Sequence, residues 1–169
     1  LHDEKQKNDD EFIKIYMKYK TPVYFYLLSI LKDAGLSEDI MQETFIRVRT
    51  NIYKYGSINN LRTWIMKIAR NLALNCLRDR KFELLNYEEI NANVEEAVNV
   101  DEFVTDSIMI NDVLNYLSND EREIFSLHVF GCYTHKEISE ILNIPQGTVR
   151  WKYSIIKKKL RKLLKNIRR

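Results

Sequence analysis

Apolar residues recur along most of this chain at steps of three and four, the period of a helix with one buried face. Leu61, Ile65, Ile68, Leu72 and Cys76 fall on one side at about 100° per residue and predict a helix from Leu61 to about Lys81. Ile40, Met41, Thr44, Val48 and Ile52 make a second such face. It predicts a helix to about Tyr53, with Ser37 as N-cap and the acids Glu38 and Asp39 in the first turn. Val149, Tyr153, Ile156, Leu160, Leu163 and Ile167 make a third, near the end of the chain. The segment from Phe12 to Leu31 is also apolar-rich, and Pro22 within it predicts a stop or kink, because proline has no N–H to donate.

Punctuation in the second half is equally regular. A helix is expected near 107–117. Ser118 with Glu121, and Thr134 with Glu137, have the spacing of capping boxes that open two further helices. Gly131 and Asn143 stand where left-handed C-caps belong, and Pro145 suits the first turn of the last helix. The run THKEISEILNIPQGTVR therefore reads as helix, tight turn, helix. Between the halves, 82–107 loses the helical period. A structureless stretch of that length is foreign to a compact domain, so it predicts a flexible linker. The expected fold is all-α: two small helical domains, 1–81 and 108–169, joined by a linker at 82–107, the second domain a helix-turn-helix.

Composition agrees, since four glycines and two prolines in 169 residues are few for a loop-rich β fold. Charge changes the picture more. The net +3 hides a segregation: 82–107 carries eight acids and no base, while 145–169 carries ten bases and no acid. Such asymmetry points to separate surfaces with separate tasks. No stretch approaches the roughly 18 apolar residues of a membrane span, and the polar start LHDEKQKNDDEF lacks a signal-peptide core. Cys76 and Cys132 are expected as core filler rather than a disulfide, which fits a reduced, cytoplasmic setting.

Three helices present faces that invite function, each with a plainer alternative. On the Leu61 helix, Lys67, Arg70, Arg78 and Lys81 lie opposite the core, with Trp64 and Asn71 at the edge. That is a solvated basic face, or a grip on phosphates and unpaired bases. On the Ser37 helix, Asp39, Gln42, Glu43 and Ile46 share the outer face, where Ile46 is either a stray apolar residue or the centre of a protein-binding patch. The last helix flanks its apolar stripe with Arg150, Lys152, Lys157, Lys158 and Arg161. A coiled-coil seam and a lipid-surface helix compete there with DNA binding, and the helix and turn ahead of it favour DNA.

Taken together, three segments resemble bacterial RNA polymerase sigma factors of the extracytoplasmic-function (ECF) type. SEDIMQETFIRVRTNIYKY resembles the family's polymerase-clamp-binding helix. LRTWIMKIARNLALNCLRDRK resembles its −10 reading and melting helix, with Trp64, Ile68, Ala69, Arg70 and Asn71 in the family's core pattern. LSNDEREIFSLHVFGCYTHKEISEILNIPQGTVRWKYSIIKKKL resembles the −35 reading domain. The resemblance covers nearly the whole chain in the family's order. It implies that 1–81 is region 2, 108–169 is region 4, and the acidic linker threads toward the polymerase RNA-exit channel.

The resemblance also implies roles. Asp39, Gln42, Glu43 and Ile46 would face the clamp helices of the polymerase largest subunit. Tyr55, Ser57, Asn59 and Asn60 in the loop, with Trp64 and Asn71, would handle a flipped −10 base. Lys67, Arg70 and Arg78 would hold the backbone. Thr134, His135 and Lys136 would brace on the −35 duplex, while Thr148, Arg150, Trp151, Lys152, Ser154, Ile155 and Lys158 would enter or flank its major groove. Trp151, Lys152 and Ile155 depart from the family's usual small, arginine and basic residues, which implies an altered −35 preference, since tryptophan and isoleucine can touch thymine methyls but cannot pair with guanine. The implied partners are core RNA polymerase, promoter DNA and an anti-sigma factor.

No cofactor, metal or catalytic residue is expected. His2, His128 and His135 are spread along the chain without a ligand-spaced cluster, and no phosphate-binding glycine loop or nucleophile motif occurs. The rival reading is a stand-alone helix-turn-helix regulator whose first domain senses or dimerises.

Overall fold

The computed structural model describes residues 2–52, 60–87 and 113–167, with side chains placed for 8–52, 60–81 and 113–165. The regular elements among these residues are all helices. The first unit holds α1 (His2–Leu31), α2 (Ala34–Asn51) and α3 (Leu61–Tyr87). The second holds a helical turn at 113–116, then α4 (Asn119–Val129), α5 (His135–Leu142) and α6 (Gln146–Ile167). The linker residues 88–107, and the start of the helix expected near 107, lie outside the described residues.

Three expectations are corrected. First, Pro22 neither ends nor divides α1, which continues through it for 30 residues. The carbonyl that proline cannot serve is that of Lys18, an exposed residue that water can reach, while Val23, Tyr26 and Leu27 are buried just beyond and hold the helix on the core. Second, α2 starts four residues earlier than Ser37 suggests, capped by Asp33, whose Oδ1 accepts the Leu36 N–H at 2.8 Å. Lys32 at φ 56 ends α1 and throws Asp33 into extended backbone, so the cap falls there. The Leu36 bond, ahead of Arg80, holds the Asp33 carboxyl below its ordinary range. Ser37 is buried inside the helix and donates to the Asp33 carbonyl. Third, α3 runs on past Lys81 to Tyr87, into the segment expected to be linker.

The second unit follows its caps. The Ser118 N–H donates to Glu121 Oε2 at 3.0 Å, and the Thr134 N–H to Glu137 Oε2 at 2.8 Å. Asn143 is left-handed at φ 55, as expected, and Gln146 begins α6 directly after Pro145. Gly131 has a different reason to exist: the left-handed residue is Cys132 at φ 52, and a Cβ on Gly131 would sit 2.4 Å from the Tyr133 ring. The glycine allows close approach. Cys132 is accordingly exposed rather than core filler. Arg122 is buried, which the pattern does not announce. Its guanidinium donates to the carbonyls of Leu114 and Leu117 at 2.8 and 3.1 Å and so closes off the preceding helical turn.

Apolar burial then joins everything. Val23, Leu27, Val48, Ile65, Met66 and Ala69 of the first unit and Ile124, Leu127, Ile138, Val149 and Ile156 of the second belong to one contiguous buried cluster. The two units pack face to face, α1 against α4 and α3 against α5. Phe25 stacks on Phe130 across the boundary, with ring centroids 5.6 Å apart.

Candidate nucleic-acid interface

The helix-turn-helix is built by α5 and α6. Ile138, Ile141 and Leu142 of α5 and Val149 and Ile156 of α6 bury the inner stripe. That stripe turns Arg150, Trp151, Lys157 and Lys158 outward, and Trp151 is 60% exposed. A large apolar ring so open to water, flanked by cations, suits a groove with methyls and phosphates. Ser154 and Ile155 lie half-buried beside it, and the Ser154 hydroxyl donates back to the Trp151 carbonyl. Thr148 is half-buried, and Lys152 is not free: its ammonium donates to Asp120 Oδ2 at 2.6 Å.

At the front of α5, Thr134 and Lys136 are exposed and His135 is half-buried. The histidines that look scattered in sequence meet here. The rings of His128 and His135 lie 5.3 Å apart and both lean on Tyr153, at 4.5 and 5.1 Å. Burial first, then the nearby His128, Arg150 and Lys157, pushes the His135 imidazole below its ordinary pKa. Among the described residues no three metal-ligating side chains gather.

The face of α3 is different. Lys67, Asn71, Arg78 and Lys81 are exposed and Trp64 is half-buried, as the periodicity predicts. Arg70 is turned inward instead, with Nε 3.1 Å from Glu123 Oε2 on α4. Burial pushes the Glu123 carboxyl up, and Arg70 pulls it back only in part. Beside this pair the phenol of Tyr26, fully buried, is pushed well above its ordinary range by burial and by Glu123. Tyr55, Ser57 and Asn59 lie outside the described residues. Asn60 is exposed at φ 116, and its carbonyl accepts the Trp64 N–H at 3.1 Å to start α3.

Arg62, which sequence reasoning passed over, is the busiest residue between the units. Its guanidinium lies 4.1 Å from the Tyr133 ring centroid and donates to the Gly131 carbonyl at 2.8 Å. Its Nε is 3.4 Å from Glu137, and the Tyr133 hydroxyl donates back to the Arg62 carbonyl at 3.0 Å. Burial, only partly countered by Arg62, pushes the Tyr133 phenol up to about 12. On α2, Asp39, Gln42 and Ile46 are exposed, Ile46 by 60%, and Glu43 pairs with Arg47 at 2.8 Å.

Comparison with known proteins decides between the readings. The family described as Sigma-70 region 2 matches residues 15–83, and Sigma-70, region 4 matches 107–160. The chain is 30% identical over 138 residues to the ECF RNA polymerase sigma factor SigM of Bacillus subtilis, covering 79% of this chain and 83% of that one. The chain belongs to the ECF RNA polymerase sigma factors. SigW of the same organism is 28% identical over 176 residues, covering 96% of this chain and 94% of SigW. The fold agrees with that of the sigma factor RpoE solved in complex with the anti-sigma factor NepR from Bartonella quintana, at TM-score 0.76 and 21% identity, covering 92% of this chain and 97% of RpoE. As an ECF sigma factor the protein recognises promoters and serves transcription initiation. None of its helices, among the described residues, is long and apolar enough to cross a membrane.

Proposed function

We propose a residue-level division of labour for this sigma factor in the cytoplasm. Residues 1–81, extended by α3 to Tyr87, bind core polymerase and open the −10 element, and 108–169 hold the −35 element. Asp39, Gln42, Glu43 and Ile46 dock on the polymerase clamp. Lys67, Arg70 and Arg78 hold the backbone while Trp64, Asn71 and the loop with Tyr55, Ser57, Asn59 and Asn60 take up the unpaired base. Flipping a base costs a few kcal/mol, which stacking and pocket contacts of about 1–3 kcal/mol per base can offset. Arg150, Trp151, Lys152 and Ile155 read the −35 groove, and Thr134, His135, Lys136 and Lys158 brace around it. The strand opening is binding energy at work, and the polymerase carries the chemistry.

The observation that carries this reading is the outward cationic face of α6 around Trp151, on the same chain as the exposed Ile46 patch of α2. A stand-alone regulator has use for the first and none for the second. An anti-sigma factor is the proposed regulator, by likeness to the complex that RpoE forms. Run-off transcription with a core polymerase matched to the source tests the proposal. A transcript that needs both the polymerase and this chain is expected. Tight duplex binding by the chain alone, with no polymerase-dependent transcript, would favour the stand-alone regulator.

A further inference from the structure

One acidic turn of α4 reaches cations on both DNA-facing helices. Asp120 takes Lys152 at 2.6 Å, Glu121 takes Lys159 at 2.7 Å, and Glu123 takes Arg70 at 3.1 Å. The first two partners lie on α6, within the same unit; Arg70 lies on α3, across the boundary. Their settings differ. The Asp120 side chain is 73% exposed, so water screens that pair. The Arg70 and Glu123 side chains are 21% and 13% exposed, at a cleft of about 120 Å³ walled by Ile124, Leu142 and Ile144. A guanidinium meets carboxylate and phosphate through the same donors. Arg70 is thus occupied by a group that resembles its proposed target.

We infer that Glu123 stands in for a DNA phosphate in the free protein, occupying Arg70 and latching α3 to the second unit, so that the strand-opening face is withheld until the units part. The inference rests on the role proposed above for Arg70. The latch has two further fastenings. Arg62 is wedged on Tyr133 between the Gly131 carbonyl and Glu137, and Phe25 stacks on Phe130. None of these is a residue of the proposed −10 or −35 contacts, so the units can be released without touching the DNA-reading residues. A half-buried ion pair suits a switch. It is stable while both partners are present, and neither charge is comfortable there alone. A site that binds Arg70 better than Glu123 does, such as a promoter strand held on polymerase, shifts the balance toward the parted state.

The full chain tests this. Dyes placed at Glu38 and Glu140, exposed positions on α2 and α5, report the separation of the units by energy transfer. A fluorescent single-stranded oligonucleotide reports access to α3. Glu123→Gln should lower transfer and tighten oligonucleotide binding by about fivefold or more, the scale on which a closed majority gives way to an open one. Phe130→Ala loosens the other end of the boundary and should do the same, which keeps the test sound if Glu123→Gln folds poorly. Unchanged transfer and affinity in the folded variants would overturn the latch. Parting without tighter binding would overturn the phosphate stand-in. Wild-type run-off transcription, run alongside, separates the two levels: a transcript with unresponsive variants sinks the latch alone, and no transcript sinks the sigma assignment of Arg70 first.

Discussion

On α6 the cations of the DNA-facing side point outward around Trp151, whereas on α3 the arginine at the middle of the corresponding face is turned against Glu123 of the other unit. Both helices carry their bases opposite an apolar stripe, and sequence alone ranks the two faces alike. The difference lies in what packs beside them. α6 stands at the rim of its unit with nothing over the Trp151 side among the described residues, while α3 is shared between two units. Charge location follows from periodicity; charge availability follows from tertiary packing.

The comparison breaks most severely if the shared core is cut. Met66→Ala in the first unit and Ile138→Ala in the second each empty a fully buried site and should cost about 2–5 kcal/mol. Because one apolar cluster spans both units, either change should lower a single common urea transition. Two separate transitions would mean that the units are independent and the boundary is weak. Next comes the polymerase face: Ile46→Asp should weaken core-polymerase binding by about 2 kcal/mol or more, as for the centre of an interface. Its exposure keeps the change in stability within about 0.5 kcal/mol.

Trp151→Ala sharpens the contrast from the other side. It should leave the unfolding midpoint unchanged and cost about 1–3 kcal/mol in polymerase-bound affinity for −35 duplex, most at positions with a thymine methyl. Equal loss on every sequence would make Trp151 a backbone contact. The smallest effect is the pH response of His135. Its folded pKa lies below the ordinary 6.5, so its contribution to stability is complete above that value and fades as pH falls through it. The melting temperature should therefore dip between pH 7.5 and 5.5 by slightly more in the wild type than in His135→Gln. A dip of equal size in both would place the titration elsewhere.

Much of this was legible in the sequence. The periodicity located α2, α3 and α6, the two capping boxes were where Thr134 and Ser118 put them, and the outward side of α2 emerged with Ile46 exposed. The misses share a cause. Asp33 outranked Ser37 as a cap because a left-handed Lys32, invisible in the pattern, set the backbone ahead of it. Pro22 was absorbed because its orphaned carbonyl faces solvent. Arg62 and Arg70 were misjudged because their partners, Tyr133 and Glu123, come from a unit more than fifty residues away, and no local period encodes such a meeting. His128 and His135 came together for the same reason.

The central claim is that α6 attaches the promoter and α3 opens it. Transcription from a template mismatched across its −10 element tests that division most directly, because such a template is already open. With core polymerase, the mismatch should restore the transcript lost in a Lys67→Ala, Asn71→Ala variant and leave the loss in an Arg150→Ala, Trp151→Ala variant in place. Equal rescue of both variants, or rescue of neither, would contradict it.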